Sequence, residues 1–578
     1  MPIYAYKLFL RFALVSGLLA CIALVIFWTR NKDIVPAWDM VTTLHFLLGG
    51  RTDGPMPNLL SSDVLNVMDN EHRPVLPMFI WVADLKFFGS RGYLPQALIL
   101  LFSIFCPVLA TSWSQLSKER SQAAFAITVF ACIIMLSPMH YENLVWPKQV
   151  HVLTAILLSL LSFAVSLWIP AAKGWSQVRR AALASALAFA ATFSFAYGLV
   201  TWPVLLIHGA LARWPIRAYV VIFLAASITI GLYYTQYTVL AHHSDPRQTI
   251  FDPLSLFSYA AGLLATPLGL WSRAASVLTG TVLILFVAWA ALRLYFKSQH
   301  VDRSQSMSLM ICIYAGGIAF LTALGRVGVN LGTDSRYLVV SAIFLLALPG
   351  LLKTSPAGQS PAGRASIVIF VMLATAVSAQ SWLNYEDPLR NRQFMIREGA
   401  IAAALNTQPI YLGLHPAPAM INDTVWPYYS RLHQDEPPLE IFGWLGKPVP
   451  LESLINSSLT GTPQCIGFVD RIDNHKNDSK FEVIKGWARL GAKGKRQSTW
   501  VLVTNTDKVL IGLATVGVAR PDVARALNGS WIDNLLTATG HAGFIGLVQA
   551  QPGEKLEFYA YRDGEACSFA TLVQAPET

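Results

Sequence analysis

Long apolar runs separated by short polar loops fill the first two-thirds of the chain. A helix that crosses the hydrocarbon core of a bilayer needs about 20 mainly apolar residues. Such runs lie near residues 8–28, 94–113, 123–136, 150–169, 181–196, 199–211, 219–240, 274–295, 307–324, 337–352 and 365–382. The pattern predicts a polytopic α-helical membrane protein of about eleven spans. The first run has no small-residue cleavage site and is followed by charged residues, so it reads as a retained helix, not a removed signal peptide. Between residues 195 and 203, Gly198 and Pro203 either kink one helix or separate two. Residues 254–271 are also apolar, but Ser, Gly and Pro interrupt them, and they read as an interfacial or re-entrant helix.

Beyond residue 385 the pattern changes. Residues 385–450 are mixed and rich in Pro and aromatics. Short β-type runs then occupy residues 465–469, 481–488, 499–503, 509–516, 543–548, 556–561 and 567–573, separated by Gly, Asn, Asp and Pro. Short strands with turn signals between them predict an antiparallel sandwich or jelly roll. The expected organisation is a transmembrane domain over residues 1–384 with a large first outer loop at 30–93, a connecting region at 385–462, and an all-β domain at 463–578.

Composition narrows the class. Charged residues make up 13% of the chain and hydrophobic residues 54%, with a mean hydropathy of +0.47. Soluble proteins carry about 25% charged residues, so an ordinary cytosolic enzyme is excluded. Disorder is excluded by 30 Phe, 17 Trp and 19 Tyr, which would not stay solvated. The net charge of +10 is spread over short loops, which speaks for topology and against nucleic acid. With Lys7 and Arg11 in the cytoplasm, the loops on that side carry Lys118, Arg120, Lys173, Arg179, Arg180, Arg213, Arg217, Arg293, Lys297, Arg303, Lys353 and Arg364. The opposite loops after residue 120 carry only Lys148, Arg247, Arg326 and Arg336. Positive-inside bias therefore puts the loop at 30–93 and the C-terminal domain outside the cytoplasm. Cys21, Cys106, Cys132 and Cys312 fall in apolar runs and read as small core residues. Cys465 and Cys567 bracket the β region and are a candidate disulfide in an oxidising compartment.

Three stretches carry candidate chemistry. The first outer loop holds Asp39 and the cluster Asp69-Asn70-Glu71-His72-Arg73-Pro74. A carboxylate beside the membrane can take a proton from a sugar hydroxyl. A second carboxylate offers a place for a divalent cation such as magnesium or manganese, although no metal site is assigned. His72 or Arg73 can balance a phosphate leaving group. The second stretch contains Glu142, Asn143, Trp146, Lys148 and Gln149, with His151 after them. Amides hydrogen-bond hydroxyls and aromatics stack on sugar rings, while the plainer reading is an aromatic belt beside a Pro-capped helix start. In the third stretch, Arg326 and the segment Asp334-Ser335-Arg336-Tyr337 place two guanidinium groups at helix ends. Arginine at that depth needs a partner, and a lipid-linked phosphate, Asp334 or a lipid headgroup would serve. Phosphate-cradling, dinucleotide-binding, HExxH and paired CxxC motifs are absent.

This layout resembles the GT-C superfamily of integral membrane glycosyltransferases. The likeness covers residues 1–385. It rests on the long acidic first outer loop and locally on Glu71-His72-Arg73-Pro74, Glu142-Asn143 through Gln149, Ser194 through Trp202-Pro203, and Ser335-Arg336-Tyr337. In the tail, Gly486-Trp487-Ala488, Arg520-Pro521-Asp522-Val523 and Gly543-Phe544 resemble a β-sandwich module found beside bacterial glycosyltransferases. The resemblance implies a multi-pass protein of a bacterial inner membrane, with its N-terminus cytoplasmic and its C-terminal domain periplasmic. It implies a polyprenyl-phosphate sugar donor, a glycan or glycolipid acceptor, and a first-loop acid as base. Carried over, the candidates are Asp39, Asp69 and Glu71, although the adjacent acidic pair of some members is missing. The expected reaction is inverting transfer on the periplasmic face, with His72, Arg73, Glu142, Asn143, Trp146, Lys148, Gln149, Arg326, Arg336 and Tyr337 binding substrate or phosphate. Two rivals stand beside it: a glycan polymerase or ligase, and a transporter of lipid-linked sugars.

Overall fold

The computed structural model describes residues 3–30, 39–47, 69, 72–112, 122–235, 237, 249–268, 272–297, 303–327, 334–351, 361–404, 449–454, 465–474, 480–490, 496–497, 500–518, 520–526, 542–562 and 564–573. The chain divides into two compact units. One comprises Met1–Lys32 and Asn58–Glu386, the other Asp33–Pro57 and Asp387–Thr578.

The helices, in chain order, are α1 (Ile3–Arg30), α2 (Asp39–Leu47), α3 (Val75–Phe88), α4 (Tyr93–Ser112), α5 (Gln122–Met135), α6 (Tyr141–Val145), α7 (Val150–Ser166) and α8 (Trp175–Thr192). They continue with α9 (Thr201–Leu211), α10 (Ile216–Tyr234), α11 (Pro253–Ala265), α12 (Arg273–Lys297), α13 (Arg303–Arg326), α14 (Leu338–Leu351), α15 (Pro361–Ala404) and α16 (Pro521–Ala526). Among the described residues, eight helical stretches are long and apolar enough to cross a membrane, which is compatible with a multi-pass membrane protein. They correspond to eight of the eleven runs expected from the sequence. The runs at 199–211 and 337–352 form shorter apolar helices. The run at 181–196 belongs to α8, which starts earlier and takes in Gln177, Arg179 and Arg180, so its composition falls below that of a spanning segment.

One expectation for a connecting segment changes. The first outer loop is not loop throughout. It contains α2 and also α3, which buries Met78, Trp81 and Leu85 and ends at Gly89 with a left-handed φ of 60°. A run of fourteen residues is too short to span, and its density of apolar residues is instead used in packing. Residues 195–203 separate two helices: Gly198 lies so close to the end of α8 that a Cβ would stand 2.2 Å from the Ala191 carbonyl carbon. In the 254–271 region, Asp252 caps α11 by accepting from the Ser255 N–H at 3.1 Å, and Pro253 opens the helix as a residue without an N–H can. α11 packs on α12 at Gly280, where a Cβ would meet the Ala261 carbonyl oxygen at 1.9 Å.

Trp28 shows how α1 is fastened. It is fully buried, and its indole N–H donates to the Leu136 carbonyl at 2.8 Å, just past the end of α5.

The second unit contains β1 (Cys465–Asn474), β2 (Glu482–Leu490), β3 (Arg496–Gln497), β4 (Trp500–Thr504), β5 (Leu510–Val518), β6 (Gly543–Val548), β7 (Lys555–Arg562) and β8 (Glu565–Val573). Each expected β run is a strand; β3 is an addition. The architecture differs from the expected two-sheet sandwich or jelly roll. All strands join one antiparallel sheet in the order β1-β2-β6-β5-β4-β7-β8, with β3 paired to β2. The sheet curls until its edge strands approach each other, and the Cys465–Cys567 disulfide links β1 to β8. Alternating residues fill the interior, among them Val501, Val503, Ala514, Val516, Phe544, Val548, Phe558 and Ala560. The nearly closed barrel arises because β2 pairs with β6, which continues a single ladder where a sandwich would break it.

Candidate functional site

Helix ends converge at one end of the helical unit. The C-terminal ends of α5, α10 and α13 and the N-terminal ends of α3, α4, α7 and α14 all lie there, joined by the contacts below. The buried segment Ser137–Gln149 threads through the middle. It runs as a 3-10 turn, then α6, then a second 3-10 turn at Pro147–Gln149. Pro138 and Pro147 each open a short turn, and their missing N–H groups need no partner there. The loop is fastened from α4: the Gln96 amide donates to the Leu144 carbonyl at 2.7 Å. Gly92, with φ 68°, passes close enough to Pro147 that a Cβ would stand 2.6 Å from Pro147 Cγ.

Lys148 is the first candidate side chain that this loop positions. It is 2% exposed, and its ammonium Nζ lies 2.6 Å from Oδ2 of Asp69, whose side chain is 16% exposed. The same ammonium stands 5.9 Å from the centre of the Trp81 ring on α3, within cation–π range. Asp69 is held from behind by its own backbone, which exchanges two hydrogen bonds with His72 at 2.9 and 3.0 Å. The His72 ring packs 3.8 Å from Phe195, centre to centre, and Phe195 lies 4.6 Å from His151. His151 Nδ1 meets the Lys148 carbonyl. A carboxylate, a buried ammonium and two imidazoles thus share a wall of aromatic rings.

Glu142 is the second centre. Its Oε2 accepts from the Ser335 hydroxyl at 2.6 Å and from the Arg336 backbone N–H at 3.0 Å. The Asn143 amide donates to the Arg336 carbonyl at 2.9 Å. These bonds join the loop to the start of α14. Around Tyr337 the Arg336 guanidinium lies 5.2 Å and the Arg326 guanidinium 6.0 Å from the ring centre, and Arg336 also meets Asp334 at 3.4 Å. The Tyr197 and Thr322 side chains hydrogen-bond nearby.

The sequence-predicted residues separate accordingly. Asp69, His72 and Lys148 come together. Glu142, Asn143, Arg326, Arg336 and Tyr337 form the neighbouring cluster. Gln149 is buried in the connecting turn, and Trp146 is 2% exposed, so it sits within the unit and not in a lipid-facing belt. Arg73 is 1% exposed, and its guanidinium donates to the Tyr233 carbonyl at 2.8 Å and to the Thr235 carbonyl, closing the C-terminal end of α10. Asp39 is the first residue of α2, in the unit that contains the barrel. Glu71 lies outside the described residues. Among the described residues no group of three or more His, Cys, Asp or Glu is arranged to hold a metal ion.

Sequence reasoning missed Trp81 and Asp84. Asp84 is buried, and its two oxygens accept from the Gly92 and Leu94 N–H groups at 2.8 and 3.0 Å, so it caps α4 from α3. A Trp and an Asp spaced three apart in an apolar run at residues 75–88 were the available signal. No protein-family model matches the chain, and no curated protein matches it.

Proposed function

We propose that the chain is a membrane glycosyltransferase that moves a sugar from a polyprenyl-phosphate donor to a cell-envelope glycan or lipid-linked acceptor. The observation that carries this reading is the half-sheltered Asp69 carboxylate, oriented by the buried Lys148 beside His72 and His151. Asp69 takes the proton of the acceptor hydroxyl as that oxygen attacks the anomeric carbon. The C–O bond to the phosphate breaks, polyprenyl phosphate leaves with the bonding pair, and attack from the opposite face inverts the centre. Arg326 and Arg336, flanking Tyr337, supply positive charge for the departing phosphate. Lys148 holds one carboxylate oxygen and so fixes which lone pair faces the acceptor.

Two further observations support an extracytoplasmic site in a bacterial inner membrane. A disulfide within the barrel fits an oxidising compartment. Arg180 and Arg303 gather around Trp168 at the opposite end of the helices from Asp69, in keeping with a cytoplasmic face there. The remaining spans of an eleven-helix arrangement would come from the shorter apolar helices and α8.

The rival reading, a glycan polymerase or ligase, is favoured by the pair of guanidinium groups around Tyr337. Membranes containing Asp69→Asn, Asp39→Asn, Glu71→Gln or Arg336→Gln, assayed with a polyprenyl-phosphate sugar, separate the two. Transfer lost in Asp69→Asn by about 100-fold or more and retained in Asp39→Asn supports the proposal. Full transfer in Asp69→Asn and Glu71→Gln, with loss in Arg336→Gln, favours the rival.

A further inference from the structure

A cavity of ≈ 340 Å³ opens between α11, α12 and α15, apart from the Asp69–Lys148 pair. Its size falls at the lower end of small-ligand sites. Tyr259 comes from α11, Arg273 from the first position of α12, and Gln380, Asn384 and Tyr385 from α15. Among the described residues the lining contains no acid, and Arg273 has no carboxylate partner. Thr266 and Ser381 also line it, but their hydroxyl protons already go to the Gly262 and Val377 carbonyls at 2.8 and 2.6 Å, so they offer lone pairs. Beside them the lining presents the Arg273 guanidinium and the Gln380 and Asn384 amides as donors. That set suits an anion carried next to hydroxyl groups: the guanidinium takes the anion's oxygens, while the amides and the hydroxyl lone pairs take the polyol.

The lipid side of the cavity identifies how such a group arrives. Ile369, Leu373, Val377, Gln380 and Asn384 lie on one stripe of α15 at steps of four, four, three and four residues. Ile369 is 63% and Leu373 36% exposed, whereas Val377 is buried and Gln380 and Asn384 face the cavity. The stripe belongs largely to the candidate membrane span Val368–Tyr385. It passes from bare apolar surface to polar cavity within a few turns, the profile a tail-bearing molecule would match.

We infer that this cavity holds the headgroup of an anionic lipid, with the lipid's phosphate on Arg273 and its hydroxyl-bearing portion against Gln380 and Asn384. The inference concerns binding and does not require the transfer reaction. The chemistry is that of phosphatidylglycerol or of a lipid-linked sugar phosphate, and phosphatidylglycerol is the probe.

The test uses full-length protein in nanodiscs of equal phosphatidylglycerol and phosphatidylcholine, released and weighed intact by native mass spectrometry. Wild type should retain phosphatidylglycerol over phosphatidylcholine. Arg273→Gln and Asn384→Leu should each lower that preference at least fivefold, and Arg273→Lys should restore part of it, with unchanged thermal midpoints. Arg273 and Asn384 are both exposed, so either variant reads the site should the other not fold. Equal retention of the two lipids by wild type, or an unchanged preference in both variants, overturns the inference. Displacement of the retained lipid by free glycerol 1-phosphate at matched concentration would overturn the lipid anchorage.

Discussion

Lys148 Nζ and Asp69 Oδ2 stand 2.6 Å apart, and the lysine is almost wholly enclosed. An ammonium at that depth persists only with a partner, because its hydration has been removed. The pair therefore joins the first outer segment to the loop between α5 and α7. Replacing Lys148 by Met leaves a carboxylate with neither its counterion nor full access to water. The expected cost is about 3 kcal/mol, at the low end for a broken buried pair because Asp69 keeps some exposure. Thermal unfolding of Lys148→Met, Asp69→Asn and the double variant checks this: the double variant should lose less than the sum of the two single losses.

Ser335 gives its hydroxyl proton to Glu142 at 2.6 Å. Hydrogen bonds to charged groups contribute roughly 1.5–3 kcal/mol, so Ser335→Ala should destabilise the helical unit by about 2 kcal/mol. Ser335→Thr keeps the hydroxyl and should recover most of the loss. Denaturant midpoints of the two variants decide it, and equal losses in both would show that the bond contributes nothing.

The disulfide closes a loop with a sequence separation of 102 residues. Cross-links of that kind commonly add about 2–5 kcal/mol. Cys465→Ser combined with Cys567→Ser should lower the denaturant midpoint of the barrel. Reductant should bring wild type to the same value and leave the double variant unmoved.

Arg520 fixes the charge state of a neighbour. Hydrogen bonds from its guanidinium hold the Asp522 carboxyl well below its usual range, at about 2. A depressed folded-state value means the contribution to stability is present above the unfolded value of 3.8 and lost as pH falls towards 2. The stability difference between wild type and Arg520→Gln should accordingly be constant above about pH 5 and shrink below pH 4. Both groups are near solvent, so added salt should reduce the difference.

Local signals carried much of the secondary structure. The period-two runs were legible as strands because β-branched and aromatic residues alternate between turn residues, and the long apolar runs were legible as helices. α3 fell inside the stretch expected to be the first outer loop, since its fourteen residues are too few for a span. Its use, to bring Trp81 under Lys148 and Asp84 onto the start of α4, depends on partners distant in the sequence. Arg73 illustrates the same limit: its charge suggested a phosphate, whereas its partners are carbonyls about 160 residues away.

Hydrophobic length and turn chemistry are properties of neighbouring residues, so the amino-acid sequence alone determined that the chain has an apolar helical part and an all-β tail. Which acid meets which base is a property of chain crossings. Only tertiary structure put Asp69 against Lys148 and Asp39 into the barrel's unit, continued β2 into β6 as one ladder, and opened a cavity beside Arg273, because each of these joins segments that no periodicity relates.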